Sequence, residues 1–243
     1  MSANPRKLVI AIDGPAGAGK STVAARLASK FGYVNLESGA MYRALGLKAI
    51  ETGTDRTSEP ALVELAKQSK IELIPTPEGN RVLLDGRDVS TRIRDRDVTD
   101  AASVVSVQPK VRELMVQLQR EMGSRGGIIM EGRDIGTVVF PHADVKIFLD
   151  ADQSIRAERR IAQVNANNPE QAAKLIRDMQ ERDRRDSTRA ASPLVAAVDA
   201  VHVDTSKLNV EEVIAEIETI VSARLNASKT TDSRLSPPAM NSR

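Results

Sequence analysis

Short apolar runs alternate along this chain with stretches in which apolar residues return every third or fourth position. The runs Leu8 to Ile12, Tyr33 to Leu36, Gly127 to Met130, Val145 to Leu149 and Ala200 to Val203 read as strands. Val23, Leu27 and Phe31 share one helical face; from Pro109, Val111, Leu114, Met115, Leu118 and Met122 share another, with Gly123 placed to end it. Asn209 and Glu212 stand at capping-box spacing ahead of a stripe of Val210, Val213, Ile214, Ile217 and Val221, which predicts a late helix. Strands alternating with helices in this way predict an α/β fold with a parallel sheet.

The pattern changes between the second and third of these strands. From Ile71 to Val89 apolar and polar residues alternate around turn signals at Pro77 to Asn80 and at Asp85-Gly86, predicting a small antiparallel hairpin or meander. Standing outside the alternating series, it reads as a subdomain beside the main sheet that is able to move. From Asn226 onward the chain loses its apolar period and becomes rich in Ser, Thr and Pro, so a disordered tail is expected.

The first strand leads straight into Gly14-x-x-x-x-Gly19-Lys20-Ser21, a P-loop. Glycines at 14, 17 and 19 let backbone N–H groups turn inward around an anion, and the following helix aims its positive end at the same point. At this spacing Lys20 reaches the β- and γ-phosphates of a nucleoside triphosphate, and the Ser21 hydroxyl ligates Mg²⁺.

Composition narrows the partners. The 243 residues suit one α/β domain carrying an insertion. There is no cysteine and there are only two histidines, His142 and His202, which argues against disulfides, thiolate chemistry and a histidine-rich metal centre. Neither a signal-like apolar stretch at MSANPRK nor a bilayer-length apolar run occurs, so a soluble cytoplasmic protein without a membrane partner is expected. A net charge of only +2 and five scattered aromatics argue against a nucleic-acid surface. The basic residues are 24 arginines against 11 lysines, a choice suited to bidentate binding of small phosphates or carboxylates.

Two further clusters follow predicted strands, where open α/β sheets receive ligands: Ser38-Gly39-Ala40-Met41-Tyr42-Arg43, and Glu131-Gly132-Arg133-Asp134. A third set, Arg156, Arg159, Arg160, Arg177, Arg182, Arg184, Arg185 and Arg189, surrounds the polar stretch Asn165 to Pro169 between two predicted helices. Such a run is ordinarily a solvated helix face, and Glu158, Glu181 and Asp183 are interspersed as local partners. Its other reading is a mobile lid whose arginines close over polyphosphate.

The segments GPAGAGKST, ESGAMYR, EGRDIGTVVFPHADVKIFLDA, RAERR and RDRRDSTRAASPLVAAVDAVHVDTS, in this order across Leu8 to Leu225, resemble the bacterial cytidylate kinases, which phosphorylate CMP and dCMP with ATP. The resemblance implies a single P-loop kinase domain over 1–225, with a five-stranded parallel sheet flanked by helices. Its core would be 1–62 and 126–225, with a monophosphate-binding subdomain inserted at about 63–125, a short lid near 155–170, and 226–243 left as the tail. Carried over by motif, Gly14, Pro15, Ala16, Gly17, Ala18, Gly19, Lys20, Ser21, Thr22 and Arg159 would hold ATP, with Mg²⁺ on Ser21. Arg43, Arg133 and Arg189 would hold the CMP phosphate and, with Lys20, act in catalysis. Ser38, Ser103, Arg112 and Asp134 would surround cytosine and sugar, with Arg182 and Asp186 on the ribose side. Glu131 and Glu37 depart from the family, which often has Asp at both places. The family also implies a monomer. The residues alone leave open a kinase for UMP or another small acceptor, and a nucleotide-dependent switch.

Overall fold

The computed structural model describes residues 7–76, 79–164 and 168–235. From the N-terminus, β1 (Val9–Asp13) passes through the Gly-rich loop into α1 (Lys20–Phe31), and β2 (Val34–Glu37) runs directly into α2 (Ser38–Thr52). Next come α3 (Glu59–Lys67), the strands β3 (Ile71–Thr76), β4 (Gly79–Leu84) and β5 (Arg87–Asp88), and the helices α4 (Arg96–Val105) and α5 (Pro109–Gly123). The chain then returns through β6 (Ile128–Gly132), β7 (Val145–Asp150), α6 (Gln153–Gln163), α7 (Pro169–Thr188), β8 (Val201–Asp204) and α8 (Val210–Leu235).

The strands β2, β6, β1, β7 and β8 lie side by side in that order, all parallel, as the five-strand pattern predicts. Successive residues of β1 serve opposite faces. Ile10 and Ile12 pack with Val23 and Leu27 of α1 and with Val213, Ile217 and Val221 of α8, whereas Ala11 packs with Leu36, Met130, Ile135 and Val116 of α5. Burial on both faces of β1, β6 and β7 is why these strands read as nearly unbroken apolar runs. Each continues one or two residues past its apolar run, ending at Asp13, Glu37, Gly132, Asp150 and Asp204. Register sets Glu131 beside both Ile12 and Glu37, so acids gather at the carboxyl ends of neighbouring strands.

The strands β3, β4 and β5 form a separate antiparallel sheet, turning at Asp85-Gly86 as the alternation predicts; Pro77 and Glu78 of the first turn lie outside the described residues. Ile71, Val82 and Leu84 pack with Met41 and Leu45 of α2, Leu62 of α3, Val98 of α4 and Met115 of α5. The helix α2, ahead of the boundary expected near residue 63, therefore shares a core with the insertion. Sequence gave no break there because α2 is buried almost all round, so its pattern does not say which layer it serves. A side chain fastens the small sheet to the large one: Asn80 Nδ2 donates to the Asn35 carbonyl at 2.7 Å, and Asn80 Oδ1 accepts the Glu37 N–H at 2.8 Å.

The capping box forms as its spacing predicts, with Asn209 N–H donating to Glu212 Oε2 at 2.8 Å and Glu212 N–H to Asn209 Oδ1 at 3.0 Å. The helix it opens runs on to Leu235, so positions 226–235 of the expected disordered tail are helical, while 236–243 lie outside the described residues. Ser, Thr and Lys lower helix propensity without forbidding it; the strong breakers are Pro237 and Pro238. Of the polar stretch between α6 and α7, residues 165–167 also lie outside the described residues.

Candidate active site

The P-loop bends sharply away from β1 at Gly14, whose φ is +147°. A Cβ at that position would stand 1.9 Å from the Leu149 carbonyl oxygen of β7, so only glycine lets the loop cross the neighbouring strand. Lys20, the first residue of α1, is buried, and its Nζ donates to the Pro15 carbonyl at 2.6 Å. Burial, then the nearby Arg133 charge, pull its pKa down to about 7, with Glu131 and Asp13 acting in the opposite direction. Ser21 and Thr22 are exposed on the first turn of α1. Ser21 stands beside the Glu131 carboxylate, whose pKa burial raises and whose Oε1 is buried without a hydrogen-bond partner.

A second group of predicted residues stands beside the loop. Arg43, on the second turn of α2, pairs with Glu37 at 2.5 Å, and Arg94 approaches the same carboxylate at 3.6 Å. Burial alone would raise the Glu37 pKa; the Arg43 guanidinium reverses this and holds it below the usual range. Asp186 of α7 gathers Arg133 at 2.9 Å, Arg189 at 3.6 Å and Arg182 at 4.0 Å. Arg189 also lies 3.6 Å from Asp134, which pairs with Arg112 in the interior. Arg112 in turn stacks over the Tyr42 ring, 5.4 Å from its centroid. Each carboxylate thus holds guanidinium groups whose donors are only partly used. Arg43 Nε, Arg112 Nε and Arg189 Nη2 are buried with no hydrogen-bond partner in the protein, a costly state that an anionic or polar ligand relieves.

The remaining predicted residues sort by side. Ser38 Oγ donates to the Glu131 carbonyl at 2.7 Å, and Ser103 Oγ accepts from Arg185 Nη1 at 2.9 Å, both on the side of the insertion. Arg159 is apart from this network. It donates to Thr205 Oγ1 at 2.9 Å and to the Thr205 carbonyl at 2.7 Å, and Thr205 contacts the Ala18 carbonyl of the P-loop. Arg160, its neighbour on α6, is half-buried and faces the charges of Arg43 and Arg94.

Sequence reasoning missed two of the carboxylates that organise this site. Asp13 accepts the N–H groups of Ile135 at 2.8 Å and Gly136 at 2.7 Å, anchoring the segment that carries Arg133 and Asp134. Asp183 accepts the Ala16 N–H at 3.2 Å and pairs with Arg156, which donates to the Ala16 carbonyl at 2.9 Å. A sign of Asp13 was present: an acid closing a buried strand needs partners.

Burial raises the Asp13 pKa to about 6 despite its two amide bonds. A carboxyl whose folded pKa lies above its unfolded value binds its proton more tightly when folded, so this group adds stability as pH falls through about 6, the gain being complete below its unfolded value of 3.8. Between pH 7 and pH 4 the wild type should therefore gain up to about 2–3 kcal/mol relative to Asp13→Asn. Urea unfolding of both proteins across that range checks this; parallel pH profiles would contradict it.

A strand, a glycine-rich loop and a helix beside a second, arginine-lined site define a P-loop protein built for two anionic groups. The family model described as Cytidylate kinase matches residues 10–223. The chain is 49% identical over 221 residues to the cytidylate kinase of Geobacillus kaustophilus, covering 90% of this chain and 99% of that one. It is 50% identical over 216 residues to that of Pelotomaculum thermopropionicum, covering 88% and 96%. Among solved structures, a gluconokinase from Sinorhizobium meliloti 1021 aligns with a TM-score of 0.47 at 14% identity, over 96% of this chain and 100% of that one. This chain belongs to the cytidylate kinase family.

Proposed function

We propose that the protein transfers the γ-phosphoryl group of ATP to CMP or dCMP, giving ADP and CDP or dCDP. The observation that carries this reading is the arginine set beside the P-loop. Arg133 and Arg189 share Asp186, Arg133 lies near Lys20, Arg43 is held separately by Glu37, and Arg43 and Arg189 keep buried donors without a hydrogen-bond partner. A switch that only holds a triphosphate has no use for this second site.

In this reading Gly14 to Thr22 and Arg159 hold ATP, and Arg43, Arg133 and Arg189 hold the CMP phosphate. Ser38, Ser103, Arg112, Asp134, Arg182 and Asp186 surround cytosine and sugar. The insertion and a lid near 155–170 close over them. Ser21 would hold Mg²⁺ together with the ATP phosphates; its hydroxyl and the partnerless Glu131 Oε1 beside it are the oxygen donors that ion takes. When bound, Mg²⁺ would supply positive charge that offsets the charge of the ATP phosphates.

The attacking group needs little deprotonation, since a phosphate monoester has a second pKa of about 6. Repulsion is the harder problem. Two unit charges 4 Å apart repel by about 4 kcal/mol at an effective dielectric of about 20, and both partners are multiply charged. Lys20, Arg43, Arg133 and Arg189 offset this repulsion and stabilise the charge that builds in the transition state. Closure excludes water, which otherwise competes as nucleophile. Asp134 accepts from the cytosine amino group while Arg112 donates to N3, and uracil inverts both matches.

The test is ADP formation with Mg²⁺ and ATP against CMP, dCMP, UMP, AMP, GMP and shikimate. Turnover selective for CMP and dCMP is expected; preference for UMP, or hydrolysis indifferent to every acceptor, overturns the reading. Asp134→Asn should lower selectivity for CMP over UMP by about 10- to 100-fold, measured as the ratio of kcat/KM values. Wild-type selectivity in that variant removes Asp134 from base recognition. Arg133→Ala should lower kcat about 100-fold while staying folded, because Asp186 keeps Arg182 and Arg189. Unaltered kinetics would take Arg133 out of the phosphate site. We further assign the enzyme to the cytoplasm as a monomer, supported by its lack of cysteine and by the family.

A further inference from the structure

α4 and α7 come from different parts of the fold, the first from the insertion and the second from the segment after the lid. Arg96 of α4 pairs with Asp178 of α7. Seven residues further along each helix, Ser103 Oγ accepts from Arg185 Nη1 at 2.9 Å. Seven residues are close to two helical turns, so the two bridges line up on facing sides of helices that run in the same direction. Apolar packing does not explain this contact. Val98, Ala102 and Val105 of α4 belong to the core of the insertion, and the only buried side chains of α7 among the described residues are Met179 and Asp186.

The inner bridge leads on into the site. Ser103 is buried, and its carbonyl accepts from Ser106 Oγ at 3.1 Å; the Ser106 carbonyl accepts from Arg112 Nη1 at 3.1 Å, and Arg112 pairs with Asp134. Arg185 is itself oriented by Glu181, at 3.1 Å.

We propose that Arg185 is a positioning residue for acceptor recognition: its bond to Ser103, with the Arg96–Asp178 bridge two turns away, clasps α4 to α7 and sets Ser103 and Arg112 against Arg182, Asp186 and Arg189. The chemistry is specific. Donation from Arg185 takes one lone pair of the Ser103 hydroxyl and leaves the proton and the other lone pair for a polar acceptor substrate. This inference rests on the reading that Ser103 belongs to the acceptor site.

Two measurements test it. In steady-state kinetics, Arg185→Ala should raise the KM for CMP about tenfold, with kcat and the KM for ATP changed less than about threefold. Arg185→Lys should recover part of the loss, and the double variant with Ser103→Ala should be no worse than Ser103→Ala alone. An unmoved CMP KM, or effects of the two substitutions that multiply, would overturn the positioning role. In the ligand-free protein, hydrogen exchange of the α4 amides should accelerate in Arg185→Ala and in Arg96→Ala while α1 amides are unaffected. Unchanged protection of α4 in both variants removes the clasp. If the wild type does not use CMP, the acceptor reading fails on its own, and hydrogen exchange still decides whether Arg185 and Arg96 hold the helices together.

Discussion

Lys20→Met is expected to lower kcat by about 10²- to 10³-fold and at the same time to raise the unfolding temperature of the free enzyme. The first effect follows, in the proposed reading, from removing the cation that would face the transferred phosphoryl group. The second follows from what Lys20 experiences without nucleotide. Its ammonium is buried, has one backbone acceptor at 2.6 Å, and lies near the charges of Arg133 and Arg182. A lysine whose folded pKa falls to about 7 holds its proton less tightly when folded, so its charge opposes folding at every pH below its ordinary 10.5, fully so below about 7. Methionine fills a similar volume without the charge, and Glu131 and Asp13 lose a nearby cation with which neither makes a direct ion pair. A gain of about 1 kcal/mol, or about 2–4 °C, is expected. Thermal unfolding at pH 7.5 beside steady-state kinetics checks both halves; a slow variant that is also less stable would mean that the two acids depend on Lys20 more than burial penalises it.

Gly14→Ala should be the most damaging single methyl group in the chain. The backbone there sits at φ +147°, and the new Cβ would lie 1.9 Å from a carbonyl oxygen of β7, which cannot swing aside as a flexible side chain can. Either the P-loop leaves β7 or the central strand pair opens, so a loss of at least about 3 kcal/mol, near 10 °C in Tm, is expected together with loss of ATP binding. Gly32→Ala separates strain from collision. Gly32 ends α1 at φ +64° with no atom within 4 Å of its would-be Cβ, so its cost should be only about 1–2 kcal/mol. Equal losses at the two positions would mean that the contact with Leu149 is not what fixes residue 14 as glycine.

Much of the sheet was legible because its central strands are buried on both faces and the strand ends are marked by chemistry. Every strand was nevertheless read one or two residues short at its carboxyl end. Side-chain polarity reports burial, whereas the ladder is made by backbone, and Asp13, Glu37, Asp150 and Asp204 stay in the ladder as polar residues. The helix α4 carried a usable signal, Val98, Ala101, Ala102 and Val105 on one face, but two of the four are alanines and contribute little apolar contrast. In the site, the P-loop was readable because its parts are contiguous. The carboxylate frame was not. Arg133 and Asp186 are 53 residues apart, and Ala16 and Asp183 are 167 apart, so no local spacing says which acid will hold which arginine.

The bond pair made by Asn80 has a consequence for the protein among its own copies. β2 is an outer strand of the large sheet, and its outward N–H and C=O groups are a template for strands of other molecules. One carboxamide, with an N–H₂ for the Asn35 carbonyl and an oxygen for the Glu37 N–H, imitates a single residue of a further strand and occupies that template. The insertion thereby guards a sticky border, and loss of the Asn80 carboxamide would bare that border to strands of other molecules.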